Sequence, residues 1–337
     1  MTVTLVAGPG GSGSTTIALA LAATSVETVL ITAAPALPAA AGTTPVTVVR
    51  PDARAFVEHH AQTGDDLAVL PREIAALPGV DLLATLSAVA ETLRTRPSAE
   101  LVIDAGAHAI ELVGVLERLS RFTDALVPQA LRILGRVTAR TSGGGLAVWD
   151  GILDAALPGA MAVSSASAVV VVPAEPHRAS LARLLPAQLS LFGIGTRCLV
   201  DRTDRHDVAA GTDDGTLTIP WPTGSAQAPD LSTLLQHHTE SSAVADDTVV
   251  AVDDGYEWPL PVPGVHRDQL DLERDDDALL ISVGAVVRRL ELPSVLQRCS
   301  VGSARFADGV LTVGFVPDPS RWPAWARQPA ATGVGDE

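Results

Sequence analysis

Residues 8–16, Gly8-Pro9-Gly10-Gly11-Ser12-Gly13-Ser14-Thr15-Thr16, have the glycine spacing of a phosphate-binding loop, G-x-x-x-x-G-K-[ST]. Gly8, Gly13 and Thr15 occupy their expected places, and Ser14 stands where the lysine belongs. Glycines at this spacing let backbone N–H groups approach an anion, and a following helix start favours negative charge. Thr15 stands at the [ST] position of the motif, whose hydroxyl is a Mg²⁺ ligand in such loops. The chain contains no lysine at all, so every one of its 23 basic side chains is an arginine. The motif has the cradle for a phosphate and lacks the cation that usually handles it.

Such a loop works only between a strand and a helix. Val3–Ala7 is an apolar strand-like run and Ile17–Ala23 a helical one, so the flanks fit. Further strands are expected at Thr28–Thr32, Val46–Val49, Leu101–Asp104, Ala168–Val172 and Arg197–Val200. Helices are expected at Val80–Arg94, Ile110–Arg121, Ala125–Thr138 and Arg178–Leu191. The alternation predicts an α/β fold over residues 1–235, a parallel sheet with helices on both faces and ligands at the carboxyl ends of its strands. Residues 236–254 are polar and read as a linker. Six short strands between Tyr256 and Phe315, parted by turn signals such as Pro263-Gly264 and Asp308-Gly309, predict a small all-β sandwich over 255–318. Residues 319–337 read as a tail, with Trp322 and Trp325 either a docking handle or packing residues.

Composition narrows the partners. A net charge of −16 argues against nucleic acid and anionic membrane surfaces, which both reward a basic face. Cys198 and Cys299 form no C-x-x-C pair, so neither zinc nor a disulfide framework is expected. The uncharged stretches Thr28–Val49 and Ala155–Ala174 contain prolines and read as buried strands with loops rather than membrane spans. With no basic flank before the first apolar run, a cytoplasmic location is expected. The pairs His59-His60 and His237-His238 are poorly placed to share a metal, and His108 reads as a helix-start residue or a phosphate contact. The aspartate clusters 246–247, 253–254 and 275–277 lack EF-hand spacing and read as solvated turns.

The order of motifs resembles the ATPase family of the arsenite pump and the tail-anchored-protein targeting factor. That family's deviant loop K-G-G-x-G-K-[ST]-T is matched by Pro9 to Thr16 except at both lysines. Thr32-Ala33-Ala34-Pro35-Ala36 is similar to its S-T-D-P-A switch, with Ala34 replacing the aspartate, and Asp104 is what remains of its D-T-A-P-T-G switch. Asp201-Arg202 corresponds to an N-R dipeptide that helps hold the base. Some members carry a domain resembling α-crystallin and small heat-shock proteins, and residues Tyr256 to Pro317 look like it, notably Leu260-Pro261-Val262-Pro263-Gly264-Val265.

The resemblance implies a degenerate P-loop, anion-transporting-ATPase-like protein. Its implied nucleotide site is Gly8, Gly10, Gly11, Ser12, Gly13, Ser14, Thr15, Thr16 and Asp104, with Thr15 and Asp104 holding Mg²⁺ only if ATP or ADP binds. No catalytic residue is expected, because Pro9, Ser14 and Ala34 replace the three groups that drive hydrolysis in the family. Two readings of the loop stay open: weak nucleotide binding, or glycines kept only for the turn. The expected role is a regulatory or structural dimer subunit, a pseudo-ATPase paired with itself or with an intact paralogous ATPase. Alternatives are a slow ATPase that recruits an arginine, and a chaperone-like client-binding module with peripheral contact to membrane-protein clients. Leu112, Val115, Leu116, Leu119, Leu126, Leu131, Ile133 and Leu134 have helical rhythm, read as core or dimer interface in preference to a client groove.

Overall fold

A computed structural model describes residues 2–25, 27–38, 46–60, 70–126, 145–202, 217–223, 225, 227–229, 231 and 249–321. It divides into two compact units, Met1–Ser242 and Ala243–Glu337.

The first unit is built on seven parallel strands. They are β1 (Val3–Ala7), β2 (Thr28–Thr32), β3 (Thr47–Val49), β4 (Glu100–Gly106), β5 (Ser167–Val172), β6 (Gly195–Arg202) and β7 (Leu217–Trp221), in the order β3-β2-β4-β1-β5-β6-β7. β2 is buried at every position and β5 at all but its first, which is why both read as unbroken apolar runs. Helices α1 (Ser14–Ala22), α2 (Ala53–His60), α3 (Leu70–Ala75), α4 (Val80–Thr95), α5 (Ala109–Leu126), α6 (Gly145–Ser164), α7 (Pro176–Ala182) and α8 (Leu185–Leu191) connect them. The side chains of Ile17 and Ala18 on α1 pack with Val6, Leu30, Val171 and Trp221 in one core cluster. β1 lies between β4 and β5, so the chain crosses in opposite directions from it and leaves a crevice at its carboxyl end. The glycine loop is in that crevice.

The structure corrects several readings. The first half of Ala155–Ala174 is not strand or loop: residues 155–164 belong to α6, a 20-residue helix with Pro158 inside it, and the expected strand follows as β5 at Ser167–Val172. Ile152, Ala156 and Val163 are buried along one stripe while Pro158 is exposed, so the missing N–H of the proline faces solvent. The stretch Arg178–Leu191 is two short helices, the second with a proline in its first turn, rather than one. Val250–Val252 is strand β8, inside the segment expected to be linker, and β7 was not foreseen. The helix expected at Ala125–Thr138 overlaps the end of α5 at Ala125 and Leu126, and its remainder, together with Leu131, Ile133, Leu134, His237-His238, Trp322 and Trp325, lies outside the described residues. Leu112 and Val115 are core residues. Among the described residues, no helix is long and apolar enough to cross a membrane.

The second unit is all antiparallel β. Strands β10 (Leu270–Asp275), β11 (Ala278–Val283) and β12 (Val286–Glu291) form one sheet. The other has the order β13-β14-β9-β8, from Cys299–Ala307, Val310–Pro317, Gly255–Pro261 and Val250–Val252. Trp258, Leu260, Val313 and Phe315 bury the inward face of the four-stranded sheet, and Leu279, Ile281 and Val283 that of the three-stranded one. The Arg274 guanidinium donates to the Cys299 carbonyl and so ties β10 to β13. Asp308 and Gly309 both have positive φ, 51° and 71°, as a two-residue turn joining β13 to β14 requires.

Cys198 on β6 is wholly buried, and desolvation pushes its thiol up to about 12 from an ordinary 9.0. The unfolded chain therefore loses this proton at a pH where the folded chain still holds it. Stability is expected to fall as pH rises from 9.0 to about 12, with a slope near ~1.4 kcal/mol per pH unit from this group. Alkylation at pH 8 should accordingly label the thiols only after denaturation. Labelling of the native chain at the denatured rate would contradict this burial.

Candidate functional site

The site is assembled from three elements at the carboxyl edge of the sheet. Asp104 on β4 is in register with Val6 of β1 on one side and Thr32 of β2 on the other. Thr15 comes from the first turn of α1. Asp104 Oδ2 accepts hydrogen bonds from Thr15 Oγ1 at 2.7 Å and from Thr32 Oγ1 at 2.9 Å, and Thr32 Oγ1 in turn accepts from the Ala34 N–H at 3.0 Å. The loop glycines, the end of β4 and the start of the Thr32-Ala33-Ala34 segment are therefore joined through one carboxylate. Thr32 was quoted in the sequence motif but not assigned to the site. Its pairing with Asp104 depends on β2 lying beside β4, which no local pattern reveals.

The loop has a defined shape. The Gly8 N–H donates to the Gly106 carbonyl at 3.0 Å, and the Ser12 N–H closes a turn on the Pro9 carbonyl at 2.9 Å. Gly13 has φ 95°, a left-handed conformation that starts α1 without a side-chain cap. A Cβ at Gly13 would stand 2.6 Å from the Trp221 ring, so glycine is required for space as well as for conformation. Ser12 is fully buried, and its Oγ, 2.6 Å from where a Gly8 Cβ would stand, points across the loop without a hydrogen-bond partner. Ser14, in the lysine position, has its Oγ near Gly106, 3.4 Å from the corresponding Cβ point. Gly10, Gly11 and Thr16 complete the loop and the helix start, with Thr16 half-buried.

Arginines frame this loop. Arg202 and Trp221 are register partners on β6 and β7, and the guanidinium lies 4.1 Å from the ring centroid. Arg202 Nη2 also donates to the Ser225 carbonyl at 3.3 Å, while Asp201 accepts from Arg183 at 3.0 Å. Arg178, on the first turn of α7 after β5, has its Nη2 3.3 Å from the Cβ point of Gly11 and 4.0 Å from that of Gly10. Sequence reasoning missed Arg178, and only the β1–β5 pairing brings it to the loop.

The other candidates do not converge on the loop. His59 and His60 end α2 with rings 4.7 Å apart, and His108 is exposed just ahead of α5. The Asp253-Asp254 and Asp275–Asp277 clusters are exposed. Among the described residues, no three His, Cys, Asp or Glu side chains stand together as a metal site. Mg²⁺ would have to be held by the hard oxygens of Thr15 and Asp104 together with those of a phosphate, a donor set that suits it.

The architecture defines an α/β domain with a phosphate-loop topology, followed by an all-β domain. Residues 253–315 match the family described as an HSP20-like domain found in ArsA. Along 96% of its length the chain is 30% identical to uncharacterized protein SCO2128 of Streptomyces coelicolor, covering 99% of that protein. It is also 26% identical to protein Rv2184c of Mycobacterium tuberculosis, over 77% of this chain and 74% of the other. The chain belongs to the same family as the Streptomyces protein, an ArsA-related family with a C-terminal HSP20-like domain.

Proposed function

We propose that this chain is a catalytically impaired, ArsA-like P-loop protein of the cytoplasm. It binds ATP or ADP weakly with Mg²⁺ and acts as a regulatory or structural subunit of a dimer, with itself or with an intact paralogous ATPase. The observation that carries the reading is the hydrogen bond between Thr15 and Asp104 at the mouth of the loop. It keeps together the two oxygens that a P-loop protein uses for Mg²⁺, in a chain that has lost the groups used for turnover.

Each residue has a physical role in this reading. The N–H groups around Gly10, Gly11 and Gly13 receive the phosphates, helped by the amino end of α1. Thr15 and Asp104 would hold Mg²⁺, which when bound would supply positive charge to the phosphates, and Thr32 orients the Asp104 carboxylate. Ser14 and Pro9 bring no positive charge to the transferred phosphoryl group. Ala34, whose N–H is bonded to Thr32, offers no carboxylate to a water. Losing a cation of the arginine-finger kind alone costs about 10³–10⁵ in rate.

Calorimetric titration of the full-length protein with ATP and Mg²⁺ is expected to show weak, Mg²⁺-dependent binding, and an overnight incubation to yield no phosphate above the buffer blank. Turnover would sink the impaired-ATPase reading. Absence of any binding would reduce the loop to a relic of the turn. Co-purification of a paralogous ATPase, or a homodimer by light scattering, is the expected result for the subunit role.

A further inference from the structure

We propose that Arg178 supplies the cation that the loop itself lacks, donating its guanidinium to the phosphates of a nucleotide seated on Gly10, Gly11 and Gly13. The inference rests on the nucleotide-binding reading above and adds a residue to it. Arg178 Nη2 approaches the Gly11 and Gly10 positions more closely than any other side-chain atom near those glycines. Its ion pair with Glu175 uses Nη1 at 3.3 Å, with the Glu175 carboxylate largely in water, so the contact is weak and leaves Nη2 turned to the loop. A guanidinium has five donors in a fixed fork, enough to hold Glu175 and a phosphate oxygen together.

Three further observations point the same way. Ser12 Oγ is fully buried and unpartnered beneath the same glycines, an arrangement that lacks a polar group at the centre of the loop. Arg202, the other nearby cation, already stacks on Trp221 and donates to the Ser225 carbonyl. The chain carries −16 overall, so its field repels a polyphosphate, and only a cation within a few ångströms can reverse that locally. Arg178 reaches the loop from the same chain, across the β1–β5 pairing, in place of a lysine carried by the loop.

Calorimetry on the full-length protein with Mg²⁺ and ATP tests this with three variants. Arg178→Gln is expected to weaken affinity roughly 10- to 100-fold, the range of a lost charge-assisted hydrogen bond. Arg178→Lys, which keeps the charge but not the fork, should retain part of the affinity. Arg94→Gln, an exposed arginine paired with Glu91 on α4, changes the net charge equally and should bind as the wild type does. Equal weakening by Arg178→Gln and Arg94→Gln would overturn the assignment as a bulk charge effect. Unchanged binding by Arg178→Gln would overturn it while leaving nucleotide binding standing. A wild-type protein that binds no nucleotide would overturn both.

Discussion

Gly159→Ala is expected to lower the melting temperature of the α/β unit by about 6–12 °C, the equivalent of ~3 kcal/mol for a domain of this size. On an exposed helix the same change would stabilise, because alanine is favoured over glycine by about 1 kcal/mol. Here the sign reverses. A Cβ at Gly159 would stand 1.8 Å from the Leu86 carbonyl oxygen, a backbone atom of α4 that cannot rotate away. To admit the methyl group, α6 must move off α4 and pull Ile152, Ala156 and Val163 partly out of the core, where they are at most 1% exposed. Overpacking of this kind costs about 1–3 kcal/mol and sometimes more, which outweighs the propensity gain. Thermal unfolding followed by circular dichroism reads the result. A melting temperature within about 2 °C of the parent would show that the two helices are not in close contact.

Asp104→Asn is the functional counterpart. The substitution keeps the shape of the side chain and removes its charge. Thr15 and Thr32 then lose the carboxylate they share, and a Mg²⁺ held as proposed would lose its protein carboxylate. The enhancement of nucleotide affinity by Mg²⁺, measured as the ratio of dissociation constants with and without EDTA, is expected to shrink roughly 10- to 100-fold. Affinity for nucleotide in EDTA should change little, since the backbone cradle is intact. The same enhancement in parent and variant would remove Asp104 from the proposed metal site.

Much of the scaffold was legible because its strands are buried on both faces. Val3–Ala7 and Thr28–Thr32 were read with the ends they have, since an unbroken apolar run has a clear start and stop. Three of the misread segments contain a proline whose position in space decides its meaning. Pro158 sits on the solvent side of α6, Pro186 in the first turn of α8, and Pro220 in β7 at the edge of the sheet, where the ladder tolerates it. β8 was read as linker because its three residues are too few to show alternation beside Asp253-Asp254. At the site, the loop follows from its spacing and Asp104 from the family resemblance. Thr32, Trp221 and Arg178 do not, because each reaches the loop or its carboxylate through sheet topology and is distant in the chain.

Trp221 sets a limit on how freely the loop can change. Its ring touches Gly13 although β7 is three strands away from β1 in the sheet, and its Nε1 is anchored on the Gln227 carbonyl at 2.9 Å. The glycine that starts α1 thus leans on the rim of the sheet. A displacement of β7 would be felt at the backbone of the glycine loop, although the edge strand and the loop are far apart in the chain.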